Sequence, residues 1–398
     1  MKKKHLVIIC GVMYPNPSAT GICAKRYAEL LTNEYEIDII CIASDMNPIT
    51  VEYNSKIRIH ALAGGTMKIE AYSIGLKKRF YHFFGQLQIK TRLLGNLKWF
   101  SKASIEKLDE IHNKNKIDCV FSICSPFAAH IAAEKFKKEH PNIHWCGYTV
   151  DPYAVKNRIR PFLYSYTQLV CKERKTLLMM DSILVSEEVF QNRKDIIESI
   201  DKCEILPYVL PEFKVEEGTK RYFDENDINC IYAGSLYSDI RNPKTMLETF
   251  SKINNSNIRL HLFSRGCEEI VSEYAEKSKN IVLHQCVATD EIRRIYNEAD
   301  FLVNIGNKAS EFMPSKTFEY IATGKPIINF YYNCPETELE IYPKCLQIQN
   351  FGNSEKLKDV EMFILENKNK KINRNIILDI YKKHSKDNVS YILHEAMY

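Results

Sequence analysis

The sequence predicts an α/β protein built from two doubly wound, Rossmann-like domains. Short apolar runs that read as buried strands alternate with helical stretches from His5 to about Leu206. A polar interval from Glu212 to Asp227, entered through Pro207 and Pro211, interrupts the alternation, which restarts at Cys230. A chain of 398 residues is also too long for one ordinary core.

Composition narrows the class further. The apolar content is that of a globular protein, and the apolar run Leu6 to Cys10 behind Lys2, Lys3 and Lys4 reads as a first strand, too short for a signal peptide. No stretch is apolar for long enough to span a bilayer. The 13 cysteines include no Cys-x-x-Cys pair, and Cys10, Cys41, Cys119, Cys146 and Cys230 sit in apolar runs. They read as reduced core residues of a cytoplasmic protein. The net charge is +5 at neutral pH, so its local concentration matters more than its size.

In order, His5 to Cys10 is the first strand, and Gly11 to Gly21 (GVMYPNPSATG) is a loop. Ile22 to Leu31 carries helical spacing, and Ile37 to Ile42 returns as a buried strand. This β-α-β unit lacks Gly-x-Gly-x-x-Gly, which argues against a nicotinamide cofactor. Ile57 to Leu62 is another strand. The stretch Leu76 to Lys102 is basic, with aromatic and leucine residues interleaved and no acid between Glu70 and Glu106. It suits a helix resting on an anionic membrane surface and equally a solvated helix packed on the domain. No nucleic-acid module accompanies the basic charge.

Strands follow at Ile117 to Ile123, His144 to Thr149 and Asp181 to Val185, with Asp151-Pro152-Tyr153 after the second of them. His130 lies inside a helix and reads as structural. In the second half, Cys230 to Gly234 is a strand and turn, followed by Ser235 and by Arg241 before a helix. Leu260 to Ser264 ends near Arg265-Gly266, and Phe301 to Ile305 reaches Gly306.

The most informative stretch is Glu311 to Ile328, EFMPSKTFEYIATGKPII. Pro314 suits the first position of a helix, where a missing N–H costs nothing. Ser315, Lys316 and Thr317 would present backbone N–H groups at the positive end of the helix dipole, a ready phosphate site. Glu311 precedes the helix, Glu319 lies on it, and Gly324 stops it before the strand Ile327-Ile328.

Glu-x7-Glu with Pro-Ser-Lys before it and Gly-Lys-Pro-Ile-Ile after it resembles the donor-site signature of retaining glycosyltransferases of the GT-B fold, family 4 type. The resemblance is best over Cys230 to Asn329 and looser before it. It implies two Rossmann-like domains facing across a cleft: an acceptor domain over 1–207, a linker over 208–228, a nucleotide-sugar domain over 229–374, and a helix over 375–398 crossing back to the first domain. The implied reaction moves a sugar, with a UDP-sugar as the expected donor, to a hydroxyl of a glycan or lipid-linked acceptor in cell-envelope polysaccharide synthesis.

The resemblance also implies roles. Arg241 and Lys316 face the diphosphate, Glu319 binds the ribose, and Glu311 sits near the donor sugar. Gly11, Gly21, Gly234, Ser235, Arg265, Gly306, Pro314, Ser315 and Thr317 complete the donor contacts. No Asp-x-Asp is present, so neither a metal nor any other cofactor is expected, the positive charge coming from the protein. Related transferases often carry a histidine after the strand matching Ile117 to Ile123. Cys124 and Ser125 stand there instead, and Asp151 is the alternative acceptor contact. That departure favours the other reading, a non-catalytic sugar-nucleotide-binding partner of a membrane glycan-assembly complex. The expected location is cytoplasmic, peripheral on the inner membrane face if the basic stretch binds lipid.

Overall fold

The computed structural model describes residues 3–45, 47–63, 98–154, 166–197, 202–212, 221–287, 289–308, 316–350 and 357–398. They fall into two units: Met1–Val209 with Lys386–Tyr398, and Leu210–Ser385.

Unit 1 runs β1 (Lys4–Tyr14), α1 (Ala19–Leu31), β2 (Tyr35–Ala43), β3 (Ile49–Asn54), β4 (Ile57–Leu62), α2 (Lys98–Lys114), β5 (Cys119–Cys124), α3 (Ala128–Glu139), β6 (His144–Thr149), α4 (Tyr166–Leu177), β7 (Ser182–Val185), α5 (Glu187–Asn192), α6 (Lys194–Ile197) and β8 (Cys203–Ile205). Its eight strands are ordered β3-β4-β2-β1-β5-β6-β7-β8, and every pairing except β3 with β4 is parallel. A parallel sheet is covered on both faces, so its strands read as unbroken apolar runs. In β1, Leu6, Ile8 and Cys10 enter one core while Val7 and Ile9 enter the other.

Unit 2 runs β9 (Ile228–Ser235), α7 (Lys244–Ser251), β10 (Ile258–Arg265), α8 (Glu268–Lys277), β11 (Ile281–Leu283), α9 (Thr289–Glu298), β12 (Phe301–Ile305), α10 (Lys316–Thr323), β13 (Ile327–Tyr331), α11 (Thr337–Glu340), β14 (Cys345–Gln349), α12 (Leu357–Asn367) and α13 (Arg374–Ile380), then a 3-10 turn over Lys382–His384. Its six strands are all parallel, in the order β11-β10-β9-β12-β13-β14. Renumbered within the unit, that is the 3-2-1-4-5-6 order of a doubly wound sheet, whose ligand crevice opens at the strand C-termini where the order reverses. In unit 2 the reversal falls between β9 and β12, and in unit 1 between β1 and β5. The last helix, α14 (Lys386–Ala396), belongs to unit 1, where Val389, Ile392 and Leu393 enter the core.

Four sequence expectations need correction. The first strand continues to Tyr14, because Val12 and Tyr14 keep pairing with Ile42 and Ala43 after a register shift. Ser18 N–H, at 2.9 Å, then takes the Val12 carbonyl, leaving only a short link before α1. The antiparallel strand β3 was missed; Asn54 builds its turn, its side-chain oxygen accepting from Lys56 and Ile57 N–H at 2.8 Å each. The linker does not begin at 208: Val209 and Leu210 are buried, and their apolar side chains keep the chain packed up to the boundary.

The expected single helix over 375–398 is two helices and a 3-10 turn. The buried Tyr381 hydroxyl donates to the Glu338 carbonyl, and His384 lies 4.5 Å from the Phe318 ring, so 374–385 stays with unit 2. Of the basic stretch Leu76 to Lys102, residues 76–97 lie outside the described residues. Its end forms the start of α2, where Trp99 and Phe100 pack into the unit 1 core and Lys102 is exposed. Among the described residues no helix is long and apolar enough to cross a membrane.

Candidate functional site

At the reversal point of unit 2, β9 delivers Ala233, Gly234 and Ser235 to the C-terminal edge of the sheet. Two cations reach this turn from different directions. Lys316, at the start of α10, donates its ammonium to the Ala233 carbonyl. Arg241, beyond the Tyr237–Arg241 bridge, donates Nη1 to the Ser235 carbonyl at 3.4 Å and Nη2 to Asn307 Oδ1 at 2.7 Å. Asn307 follows Gly306 at the end of β12, so the two central strands of the reversal are joined by a guanidinium. A Cβ on Gly234 would stand 3.3 Å from the Tyr232 hydroxyl and 3.4 Å from the Lys316 ammonium, and the absent side chain leaves the ammonium open toward the turn.

Burial pushes the Lys316 ammonium down to about 8; Glu319, one turn along α10, favours the charged form and Arg241 opposes it. Two positive groups near one turn with so little solvent form a site that favours an added anion. Glu319 itself is buried, as is Thr317, whose hydroxyl has no hydrogen-bond partner among the described residues. Arg265 is exposed, and its carbonyl accepts Leu236 N–H at 2.8 Å. Glu311, Pro314 and Ser315 lie outside the described residues.

The neighbouring turn depends on a glycine. Gly266 has φ +86°, and a Cβ there would lie 2.3 Å from the Leu236 carbonyl oxygen. Gly266→Ala is expected to cost about 1–3 kcal/mol, from the left-handed backbone and the clash with the segment following Ser235. Urea titration measures this; an unchanged midpoint would mean that the turn is not held as described.

In unit 1 the reversal places Gly11 against β5. A Cβ on Gly11 would be 2.9 Å from Ser125 O and 3.1 Å from Pro126 Cδ, and one on Gly21 would be 2.3 Å from Val12 O. Both glycines therefore have packing reasons besides any approach to phosphate. Asp151 follows β6, and the Cys124 thiol points at its carbonyl at 3.5 Å. Glu173 holds the next turn, accepting from Tyr153 N–H at 2.8 Å and Ala154 N–H at 3.0 Å. His130 is buried, its Nδ1 2.8 Å from Ser122 Oγ, and burial pushes it down to about 3. It is a neutral core histidine.

The sequence reading missed four polar side chains beside this turn of unit 2. Asn304 on β12, Asn329 on β13 and Gln347 on β14 are adjacent in register, and Glu336 reaches them from the turn before α11. The available signal was an asparagine inside each apolar run, FLVNI and IINFY.

With this geometry in place, residues 227–341 match the model of the family described as Glycosyl transferases group 1. Over those residues the chain is similar to the group 1 glycosyltransferases. No curated protein matches the sequence. Among solved structures the chain is similar to sucrose-phosphate synthase (tll1590) from Thermosynechococcus elongatus, at 12% identity and TM-score 0.71 over 99% of this chain and 98% of that one. It is similar to the trehalose-6-phosphate protein from E. coli bound with UDP-2-fluoro glucose, at 11% identity and TM-score 0.65 over 99% of each chain. It also resembles the lipopolysaccharide outer core galactosyltransferase WaaB in its apo form, at 11% identity and TM-score 0.59 over 99% of each chain. The fold is GT-B, with two Rossmann-like units.

Proposed function

We propose that the transferase takes a sugar from a nucleotide-sugar, a UDP-sugar being the expected donor, and transfers it with retention to a hydroxyl of a glycan or lipid-linked acceptor in cell-envelope polysaccharide synthesis. The observation that carries the donor half is the convergence of Lys316 and Arg241 on the carbonyls flanking Gly234. As the anomeric carbon–oxygen bond lengthens, negative charge collects on the diphosphate. Preorganised cations stabilise that charge without needing a metal or other cofactor. The acceptor oxygen then bonds to the same face of the anomeric carbon, and its proton passes to the departing phosphate oxygen. Free nucleoside diphosphate is the second product.

The remaining roles come from the family resemblance. Glu319 is proposed to bind the ribose, Glu311 to contact the donor sugar, and Asp151 to contact the acceptor. Gly11, Gly21, Ser235, Arg265, Gly306, Pro314, Ser315 and Thr317 are proposed to line the donor. The cytoplasmic face of the membrane is the proposed location, supported by the basic, aromatic composition of Leu76 to Lys102.

The second reading, a non-catalytic sugar-nucleotide-binding partner, is favoured by one observation: β5 ends on the buried Cys124 and the turn opens with the half-buried Ser125, where related enzymes often carry a histidine. Both readings are separated by incubating the protein with UDP-, GDP- and ADP-sugars while following thermal stability and nucleoside diphosphate release. A catalyst stabilised by one donor releases its diphosphate slowly even without acceptor. Stabilisation without release favours the binding partner, and neither effect with any donor removes the donor-site reading.

A further inference from the structure

β12, β13 and β14 carry a row of amides across an otherwise apolar sheet. Asn304 Nδ2 donates to Asn329 Oδ1 at 2.9 Å, and Asn329 Nδ2 donates to Gln347 Oε1 at 2.8 Å. Gln347 Nε2 donates on to the Leu339 carbonyl at 2.9 Å. Asn304 and Asn329 are buried, so each of these polar groups needs its partner. Glu336 closes the row. Its Oε1 accepts from Asn304 Nδ2 at 3.3 Å and its Oε2 from Asn329 Nδ2 at 2.9 Å. Both carboxylate oxygens meet donors, an arrangement that suits the ionised acid.

Burial raises the pKa of the half-buried Glu336, opposed by its hydrogen bonds to Asn329 and Asn304 and by the Arg241 charge, and the carboxyl touches the donor-side turn. Its Oε1 lies 2.8 Å from where a Cβ on Gly306 would stand, so the missing side chain lets the β12 end rest against the carboxyl as it stands. Gly306 N–H is tied to the Phe330 carbonyl at 2.9 Å. The next residue, Asn307, accepts the Arg241 guanidinium, and Lys308 N–H holds the Ile240 carbonyl at 2.9 Å. Carboxylate, glycine, asparagine and arginine therefore form one continuous chain of contacts.

We propose that Glu336 is a positioning residue of the transfer reaction: through Gly306 and Asn307 it sets the place of the Arg241 guanidinium, and its charge balances that cation until a donor diphosphate arrives. The inference rests on the reading of Arg241 as a diphosphate group. A glutamine at 336 keeps the shape, removes the charge and turns an amide N–H toward one of the asparagine N–H groups. The β12 end then has no anion to rest on, and Arg241 loses its fixed partner.

The experiment measures donor Kd by titration, and KM and kcat with the UDP-sugar that the wild type accepts, for Glu336→Gln, Asn307→Ala, Arg241→Ala and Arg241→Ala combined with Glu336→Gln. Glu336→Gln is expected to weaken kcat/KM by about tenfold to a hundredfold, as misplaced catalytic groups do. Asn307→Ala, which cuts the chain of contacts without entering the amide row, is expected to act in the same direction. The double variant is expected to be no worse than Arg241→Ala alone, since residues acting as one unit are non-additive. A purely structural Glu336 would lower the melting temperature, leave donor Kd intact and give additive losses; that result overturns the proposal. If Arg241→Ala binds donor as the wild type does, the diphosphate reading falls and the positioning role with it. If Arg241→Ala loses donor while Glu336→Gln and Asn307→Ala do not, only the positioning role falls.

Discussion

Lys316→Met is expected to weaken donor binding by about tenfold to a hundredfold, the range of a lost charge-assisted hydrogen bond, while leaving the empty protein as stable as the wild type or more so. The reason is that the ammonium is largely buried before any anion arrives. Burial pushes it down to about 8, despite the help of Glu319, so the empty fold carries this charge at a cost. The sign of the pH dependence follows. Above about 8 the folded lysine loses its proton, while the unfolded lysine keeps it until about 10.4. In that window the unfolded chain binds more protons, and stability from this group rises with pH.

Donor affinity moves the other way, since a neutral amine no longer attracts a diphosphate. Bound diphosphate itself raises the lysine's pKa, so the fall in the complex begins above the value of the free protein. Melting curves and donor titrations from pH 7 to pH 10 check both limbs. Wild-type affinity that stays flat across this range would mean Lys316 is not a diphosphate ligand. A Lys316→Met protein with the wild type's pH-dependent stability would mean the lysine is not buried as described.

The second large effect lies among neighbouring strands of the unit 1 sheet. Asp38 on β2 accepts from His5 Nε2 on β1 and from His60 Nε2 on β4, each at 2.7 Å, and so ties three strands together. His5 Nδ1 faces the Asn115 and Lys116 carbonyls, each at 3.2 Å. With oxygen acceptors at both nitrogens, His5 is held as the imidazolium. Burial alone would lower its pKa; the hydrogen bond and charge of Asp38, with the two carbonyls, overcome this and raise it. Burial likewise works against the Asp38 carboxylate, but the two histidines hold it far below the usual carboxylate range.

Removing the carboxylate leaves a buried cation without its partner, so Asp38→Ala is expected to cost about 3–5 kcal/mol. The Asp38 contribution is complete above its unfolded pKa of about 4 and is lost as pH falls toward the lowered folded value. The His5 contribution is complete below about 6.5 and is lost as pH rises through the raised folded value. The cost of Asp38→Ala is therefore greatest near pH 5 to 6 and falls as pH rises through the raised folded pKa of His5, above which only a hydrogen bond to Asp38 is at stake. Urea titrations across pH 5.5 to 10 measure it; a loss that stays equal over the whole range would exclude a contribution from charged His5 that titrates as described.

Much of the architecture was legible because a parallel sheet covered on both faces writes each strand as a local apolar run. His144 to Thr149 and the start of the strand Ile327–Tyr331 could be found that way. Gly324 was legible for an equally local reason. Its φ of +73° is a backbone state that favours glycine, and a Cβ would also meet Ile372 O at 2.5 Å. Where local pattern was weak, the reading failed. β3 is largely exposed and carries little apolar signal, and the break between α13 and α14 depends on where Tyr381 and His384 find partners.

The sequence by itself determined the doubly wound α/β class and the two-domain division, since strand periodicity and helix stops are properties of neighbouring residues; Lys316 was marked by its place at a helix start, and Arg241 by the family resemblance. Only the tertiary structure decided that these two cations grip carbonyls on either side of Gly234, that burial pushes Lys316 down to about 8, and that Glu336 joins Asn304 and Asn329 beside Gly306. The physical reason is that desolvation and hydrogen-bond partnership depend on atoms brought together from distant strands, and no spacing along one strand records which neighbours the sheet will provide.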